Sequence, residues 1–384
     1  MALLAALVVL AAGDTLRWTA DVATQGRGLE EPDAGQHARV AEILLSGHFG
    51  LLARSGEESA AFSVSPRLLV REGLRGQPPD TGNSMQHGGR LDLESRVAPT
   101  TRLGLRSTAD WGVTDFSPVV TAPVPGGTGL LPRQRFVRTL TLDVTADVHH
   151  HFSRRLDFVS TAGVQRSGGL GEEAVAVIPI QRGFLGTASL AWTADRDTQI
   201  ALQANGSATR FSLGRDSLLS EMQAVWTDRP SRQVRSDVSA GAALIHTEGD
   251  GVSEAHAYGS GAAGLRWDLP LSPRQGLSTA VHGRLLPAID RLTGLAVQSL
   301  RGDGTAELVD GPRRFGIGAS GGRALSGVSA GAEDVRLDAR VSWALSPAFV
   351  AEAAYVAAWT NQPPFLGWQK QVYVGFRWAG AGAL

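Results

Sequence analysis

The sequence predicts an all-β fold: a single antiparallel up-and-down transmembrane β-barrel of about 18 strands, with 16 as the nearest alternative count. Three observations predict it. Apolar and polar residues alternate with a two-residue period from end to end, helical periodicity is missing from every long segment after the N-terminus, and short connections alternate with long ones.

The N-terminus comes first. Residues 2–12 form an apolar run that ends in Ala11-Ala12-Gly13, a small-residue cleavage pattern before Asp14. The run is too short to span a bilayer as a helix and reads as a secretory signal peptide over 1–13, which leaves 14–384 as the barrel. No Lys or Arg precedes it, so a buried N-terminal helix is the competing reading. Nowhere else do about 18 apolar residues run together, which excludes transmembrane helices.

The strands follow in order. Leu16, Trp18, Ala20 and Val22 oppose Arg17, Thr19 and Asp21; Leu91, Leu93 and Val97 oppose Arg90, Asp92, Glu94 and Arg96. Leu103, Leu105, Ala109 and Trp111 oppose Arg102, Arg106, Thr108 and Asp110, and Leu140, Leu142, Val144, Ala146 and Val148 face away from Thr139, Thr141, Asp143, Thr145 and Asp147. Leu156, Phe158, Ala162 and Val164 repeat the pattern, and Val335-Arg-Leu-Asp-Ala-Arg-Val-Ser-Trp343 is its clearest instance. Strands of 10 to 14 residues are expected, longer than the five or six common in soluble sheets. Membership between Pro287 and Gly322 is ambiguous, which is why the count is 18 or 16.

The connections decide more than the strands. Residues 98–100, 153–154, 194–196, 228–230, 271–273 and 346–347 are short and rich in Ser, Pro, Asp and Arg, as tight hairpin turns are. Residues 26–36, 75–89, 113–135, 168–173, 247–254, 326–334 and 361–364 are longer and polar or Gly/Pro-rich. Barrels that span a membrane place short turns at one rim and long loops at the other.

Composition narrows the rest. Acidic and basic residues balance to a net charge of −1, so no nucleic-acid partner is indicated. Cysteine is absent, which removes disulfides, thiolate nucleophiles and thiolate metal sites. Lys370 is the single lysine, and arginine carries the remaining positive charge.

Which face of these strands looks inward is settled by energetics. Rotating Val335–Trp343 by one residue in a bilayer would point Arg336, Asp338 and Arg340 at lipid, at about 2 to 4 kcal/mol for each midplane arginine. The apolar set is therefore expected outside. Trp18, Trp111, Trp192, Trp226, Trp267, Trp343 and Trp378 lie near strand ends, where indoles favour the headgroup level.

The C-terminal stretch Lys370–Trp378 resembles the terminal-strand signal of bacterial outer-membrane barrels, with Tyr373, Gly375, Phe376 and Trp378 in fitting positions and aromatics alternating outward. It departs from that pattern in the tail Ala-Gly-Ala-Gly-Ala-Leu that follows Trp378. The resemblance implies the outer membrane as location, its lipid as surroundings, and insertion by the barrel-assembly machinery. A signal peptide, arginine-rich and alanine-rich strands and very short Leu-Ser-Pro turns together resemble the barrel components of polysaccharide-export systems of myxobacteria-like organisms. That resemblance implies a polysaccharide cargo and a periplasmic polysaccharide-export protein as partner. A passive porin for small solutes and a non-conducting structural or adhesive barrel stay open beside it.

No residue is nominated for catalysis, and no cofactor is expected. There is no Gly-x-Ser-x-Gly elbow, and the glycine-rich stretches lack the lysine and helix of a phosphate cradle. His149-His150-His151 is the tempting metal cluster, yet in a strand only His149 and His151 share a face, with no third ligand evident. The charge ladders carry the functional expectation. Arg90, Asp92, Glu94, Arg96, Arg102, Arg106, Asp110, Asp143, Asp147, Arg336, Asp338, Arg340 and Arg377 are expected to line a pore. Cross-strand pairing among them would also stabilise the wall, by about 0.2 to 1 kcal/mol each. Residues 113–135 are long enough to fold inward as a constriction.

Overall fold

The computed structural model describes residues 15–33, 36–75, 82–116, 136–327, 329–362 and 366–383. These form 18 strands: β1 (Thr15–Asp33), β2 (Gln36–Ser55), β3 (Glu58–Arg75), β4 (Gly82–Ala98), β5 (Thr101–Asp115), β6 (Phe136–His151), β7 (Leu156–Gly169), β8 (Gln181–Thr193) and β9 (Thr198–Phe211). The second half continues with β10 (Arg215–Asp228), β11 (Val234–Gly249), β12 (Val252–Ser272), β13 (Gln275–Ile289), β14 (Ala296–Asp310), β15 (Arg313–Ser326), β16 (Glu333–Ser346), β17 (Phe349–Thr360) and β18 (Gly367–Ala383). One short helix, α1 (Glu172–Val177), sits between β7 and β8.

Each strand pairs antiparallel with its neighbours in sequence, and β1 pairs with β18 from Arg17↔Ala383 to Glu30↔Lys370. The sheet thus closes on itself and has no free edge. The tail after Trp378, which departs from the usual terminal signal, is part of this closure: Ala379 to Ala383 ladder against Arg17 to Asp21.

The greasy face looks outward. Val335, Leu337, Val341 and Trp343 are exposed, as are Val22, Leu142, Val144, Phe184, Leu202, Met222, Leu244, Val281 and Ile317 on other strands. Buried apolar clusters hold only a few residues each, for example Leu29, Val40, Val356 and Ala358. A soluble sheet would bury this outer set in a core; here the set forms the surface of a cylinder, which fits only an apolar solvent.

The tryptophans mark one rim. Trp18, Trp192, Trp226, Trp267, Trp343 and Trp378 stand at the ends of strands joined by short turns, and Trp192 and Trp226 are both in register with Ile200. Trp111 stands nearer the other rim, where the outward pair Trp359↔Trp368 also lies. By the usual orientation of such barrels the short-turn rim is periplasmic.

Several expectations are corrected. Strands run from 12 residues in β17 to 21 in β12, longer than anticipated, because polar segments that look like loops continue the ladder beyond the membrane. Residues 26–33 belong to β1, and residues 247–254 form a hairpin whose turn is Asp250-Gly251, both at positive φ (53° and 74°) as a primed turn requires. The region between Pro287 and Gly322 resolves into the end of β13, a connection, β14, the two-residue turn Gly311-Pro312 and most of β15, which fixes the count at 18. Tyr373 and Gly375 alternate with the exposed Val372, Val374 and Phe376, so Tyr373 points inward rather than joining the outward aromatics. Residues 1–13 lie outside the described residues.

Candidate channel wall and mouth

The inner face is identified by what is seated on it. The connection Asp290–Leu295 joins β13 to β14, yet it is held by β8, β10 and β11. Gln181 Nε2 donates to the Arg291 carbonyl at 2.6 Å, Arg215 Nη1 to the Thr293 carbonyl at 2.7 Å, and Ser217 Oγ to the Gly294 carbonyl at 2.6 Å. Thr247 Oγ1 donates to the same Gly294 carbonyl at 3.3 Å. Arg215 and Ser217 alternate with the exposed Leu218, so the polar face is the inward one.

All thirteen charged residues expected along a pore lie on this polar face. Arg90, Asp92, Glu94 and Arg96 alternate with the exposed Val97; Arg102, Arg106 and Asp110 with Leu103 and Trp111; Asp143 and Asp147 with Leu142 and Val144. Arg336, Asp338 and Arg340 alternate with Val335, Leu337 and Val341, and Arg377 with Phe376 and Trp378.

The structure brings part of the set together. Asp92 accepts from Arg90 Nε at 2.5 Å and from Arg106 Nε at 2.7 Å, and Arg106 is its cross-strand partner in register. Arg96 and Arg102 face each other as like charges, and each turns to an acid: Arg96 to Glu57 at 2.7 Å, Arg102 to Glu94 at 3.6 Å. Arg377 meets Asp21 across the β1–β18 seam at 3.3 Å. Asp110, Asp143 and Asp147 make no ion pair among the described residues.

A second charged wall went largely unread in the sequence, Arg340 being its one expected member. On β12 to β16, Arg266 binds Asp268, His282 and Arg284 meet Asp303, and Glu307 lies between Arg314 (3.7 Å) and Arg340 (3.9 Å). These residues stand among Ala, Gly and Ser, where alternation of size is faint. Glycine placement was the missing signal. A Cβ built on Gly316 would meet Arg340 Nε at 2.9 Å, one on Gly318 would meet Asp338 Oδ1 at 2.5 Å, and one on Gly104 would collide with the Asp147 carboxylate. Each glycine sits in register with the charged residue that lies across it, so the long side chain can lie flat on the wall.

The mouth opposite the tryptophan rim carries an insert. Ile178, just after α1, is buried with Phe116 and Val137, and Ala174, Val177 and Leu292 pack on them. The Arg291 guanidinium lies over the Phe116 ring, 5.2 Å from its centre, and burial lowers the Arg291 pKa from its ordinary value while Asp290 opposes the shift. Asp290 Oδ1 accepts from Leu292 N, Thr293 N and Thr293 Oγ1 at 2.9–3.0 Å, which shapes the turn. Two connections, 170–180 and 290–295, therefore meet over the lumen and leave beside them a cavity of about 680 Å³, whose lining includes Arg71, Ser84, Phe136, Glu172 and Glu173. The expected constriction was 113–135; of it only Val113–Phe116 is described, and Phe116 is the residue that joins the insert.

His149 and His151 share the inward face as expected, and the Asp157 carboxylate of β7 lies beside them, a proximity that sequence spacing could not show. The three ligand atoms lie within 4.8 Å of one another. Asp157 is opposite His151 in register, and its carboxylate is already taken by His151 Nδ1. His150 points the other way, against Thr101 and Phe152.

Several solved structures align along nearly the whole chain. The outer membrane protein OpdK from Pseudomonas aeruginosa aligns at 10% identity over 95% of this chain and 99% of its own, with a TM-score of 0.48. OpdO from the same organism aligns at 12% identity over 96% and 98%, also at 0.48. OccAB4 from Acinetobacter baumannii gives 8% identity over 96% and 99%, again at 0.48. No curated protein matches the chain. One family profile does, over residues 6–371, and this closed outer-membrane barrel channel belongs to the EpsX exopolysaccharide export family.

Proposed function

We propose that the barrel lets an exopolysaccharide leave the cell through a hydrated lumen lined by the thirteen charged residues of the ladders. The observation that carries this reading is a closed, inwardly polar cylinder in a chain of an exopolysaccharide export family. On this wall arginines pair with nearby acids, as Arg377 does with Asp21 and Arg102 with Glu94, so a polymer meets hydrogen-bonding groups without a strong field to hold it. The chain acts as a conduit and performs no chemistry itself. A periplasmic polysaccharide-export protein would deliver the polymer to the short-turn rim. Residues 1–13 would direct secretion and be removed, and the barrel-assembly machinery would insert the mature chain.

The mouth insert favours one alternative, a passive porin for small solutes, because α1 and Asp290–Leu295 narrow the exit. A null strain separates the two. Export predicts loss of surface polysaccharide and a purified channel whose conductance is blocked by the isolated polymer. Normal surface polysaccharide together with conductance indifferent to polymer would establish the porin reading instead.

A further inference from the structure

The outer surface near the extracellular rim carries an arrangement that pairing within the protein does not explain. Arg166 of β7 is in register with Arg182 of β8, and Arg182 with Arg210 of β9, so three arginines stand side by side on adjacent strands. All three are exposed and share the outward face with Val164, Phe184 and Leu202. Arg138 of β6, also exposed and outward, stands four residues nearer the rim than Leu142, the β6 residue in register with Arg166. Like charges directly opposite on a sheet repel.

Elsewhere on this rim opposite charges also meet across strands. Glu30 faces Arg39 on one side and Lys370 on the other, and Arg323 faces Glu333 at 3.3 Å. Within the arginine row only the last member is matched, Arg210 making two bonds of 2.7 Å to Asp216. Arg166 and Arg182 have no acidic partner among the described residues.

Depth tells what stands opposite the row. From Trp192 at the periplasmic girdle, the outward residues of β8 are Leu190, Ala188, Gly186 and Phe184, and then Arg182. Ten residues of tilted strand rise about 25 Å, the height of the apolar band of such barrels. The guanidinium row therefore lies at the headgroup plane of the outer leaflet, directly above lipid chains. Guanidinium groups take phosphate oxygens through two parallel N–H donors, and closely spaced arginines suit closely spaced phosphates.

We propose that Arg166, Arg182 and Arg210, with Arg138 at their flank, form a binding site for the phosphate groups of a phosphorylated glycolipid of the outer leaflet. The lipid supplies the anions that the protein omits, and its acyl chains run down beside Phe184 and Val164. The site is independent of cargo, since it lies on the opposite face of the sheet from the lumen.

The test uses the full barrel in neutral detergent micelles, titrated with bis-phosphorylated lipid A, with its dephosphorylated form, and with inorganic phosphate. The expected result is saturable binding of the bis-phosphorylated form, weakened at least tenfold by Arg166→Gln/Arg182→Gln and unchanged by the control Arg323→Gln. In lipid-free micelles the double variant should refold at least as well as the parent, because repulsion has been removed. Equal binding of the dephosphorylated lipid, or undiminished binding by the double variant, would overturn the proposal. Competition by inorganic phosphate at equal concentration would show a free-anion site and overturn the lipid assignment.

Discussion

Arg301 on β14 and Asp334 on β16 form an ion pair across the intervening strand, with Arg301 Nη2 at 2.8 and 2.6 Å from the two carboxylate oxygens. Gly322 of β15 is in register with both and lies beneath the bridge. A Cβ there would meet Arg301 Nε at 3.0 Å. The Arg301 side chain is only 12% exposed, so water competes weakly for it. Asp334→Ala should cost about 1–3 kcal/mol, and Gly322→Val should approach that loss by pushing the guanidinium off the wall. Urea midpoints for folding into lipid vesicles measure both. An unchanged midpoint for Asp334→Ala would show the bridge to be inert.

The two faces of β16 should respond oppositely to charge. Leu337→Arg puts a guanidinium into the apolar band near its middle and should cost about 2–4 kcal/mol of folding free energy. Asp338→Asn, one residue on, should leave the vesicle-folding midpoint close to that of the parent. The same midpoints for both variants would contradict the assignment of faces.

Selectivity follows from the ladders. Arg336→Gln/Arg340→Gln removes two cations from the inner wall and should shift the reversal potential toward cation selectivity in planar bilayers under a salt gradient. Arg323→Gln, on the outer face, should leave that potential where it was.

Opening the mouth should raise current. Replacing residues 291–294 by Asn-Gly keeps a hairpin-competent turn but removes Arg291 and Leu292 from Phe116 and Ile178. Single-channel conductance should rise by about twofold or more, since the narrowest section limits flow. Conductance equal to that of the parent would place the limiting section elsewhere.

Acid should loosen one periplasmic turn. Asp195 accepts backbone N–H bonds from Asp197 at 2.8 Å and Thr198 at 2.9 Å, and these bonds hold its carboxyl below the usual carboxylate range. A lowered folded-state pKa stabilises above the unfolded value, about 4, and the benefit is lost as pH falls through the lowered value. Refolding yields of the parent and Asp195→Ala should therefore differ at neutral pH and converge in strong acid.

Much of this architecture is legible in the sequence because the bilayer imposes it. Lipid on one side and water on the other force a strict two-residue period, so β16 and the ladder of β4 and β5 could be read residue by residue. Legibility fades where neither solvent dictates. The Gly311-Pro312 turn was missed because the strands it joins, β14 and β15, are rich in Gly, Ala and Ser. The strand extensions past the membrane, as at Glu248 and Glu254, are polar on both faces and resemble loops. Arg301–Asp334 and Asp157 beside His149 could not be foreseen, since both join residues on different strands through a register fixed only by the closed sheet. The mouth insert escaped for the same reason: Leu292 and Phe116 are distant in sequence and meet only when the cylinder exists.

The β1–β18 seam sets the order of events when this protein is made. Arg17 and Ala383 lie near opposite ends of the described chain, yet they face each other in register. Every other ladder can zip between strands that emerge one after the other, whereas this one must wait for the last strand to arrive. Until then β1 and the growing edge both present unpaired backbone, and a cellular factor that shields or templates one of those edges would control the rate of biogenesis.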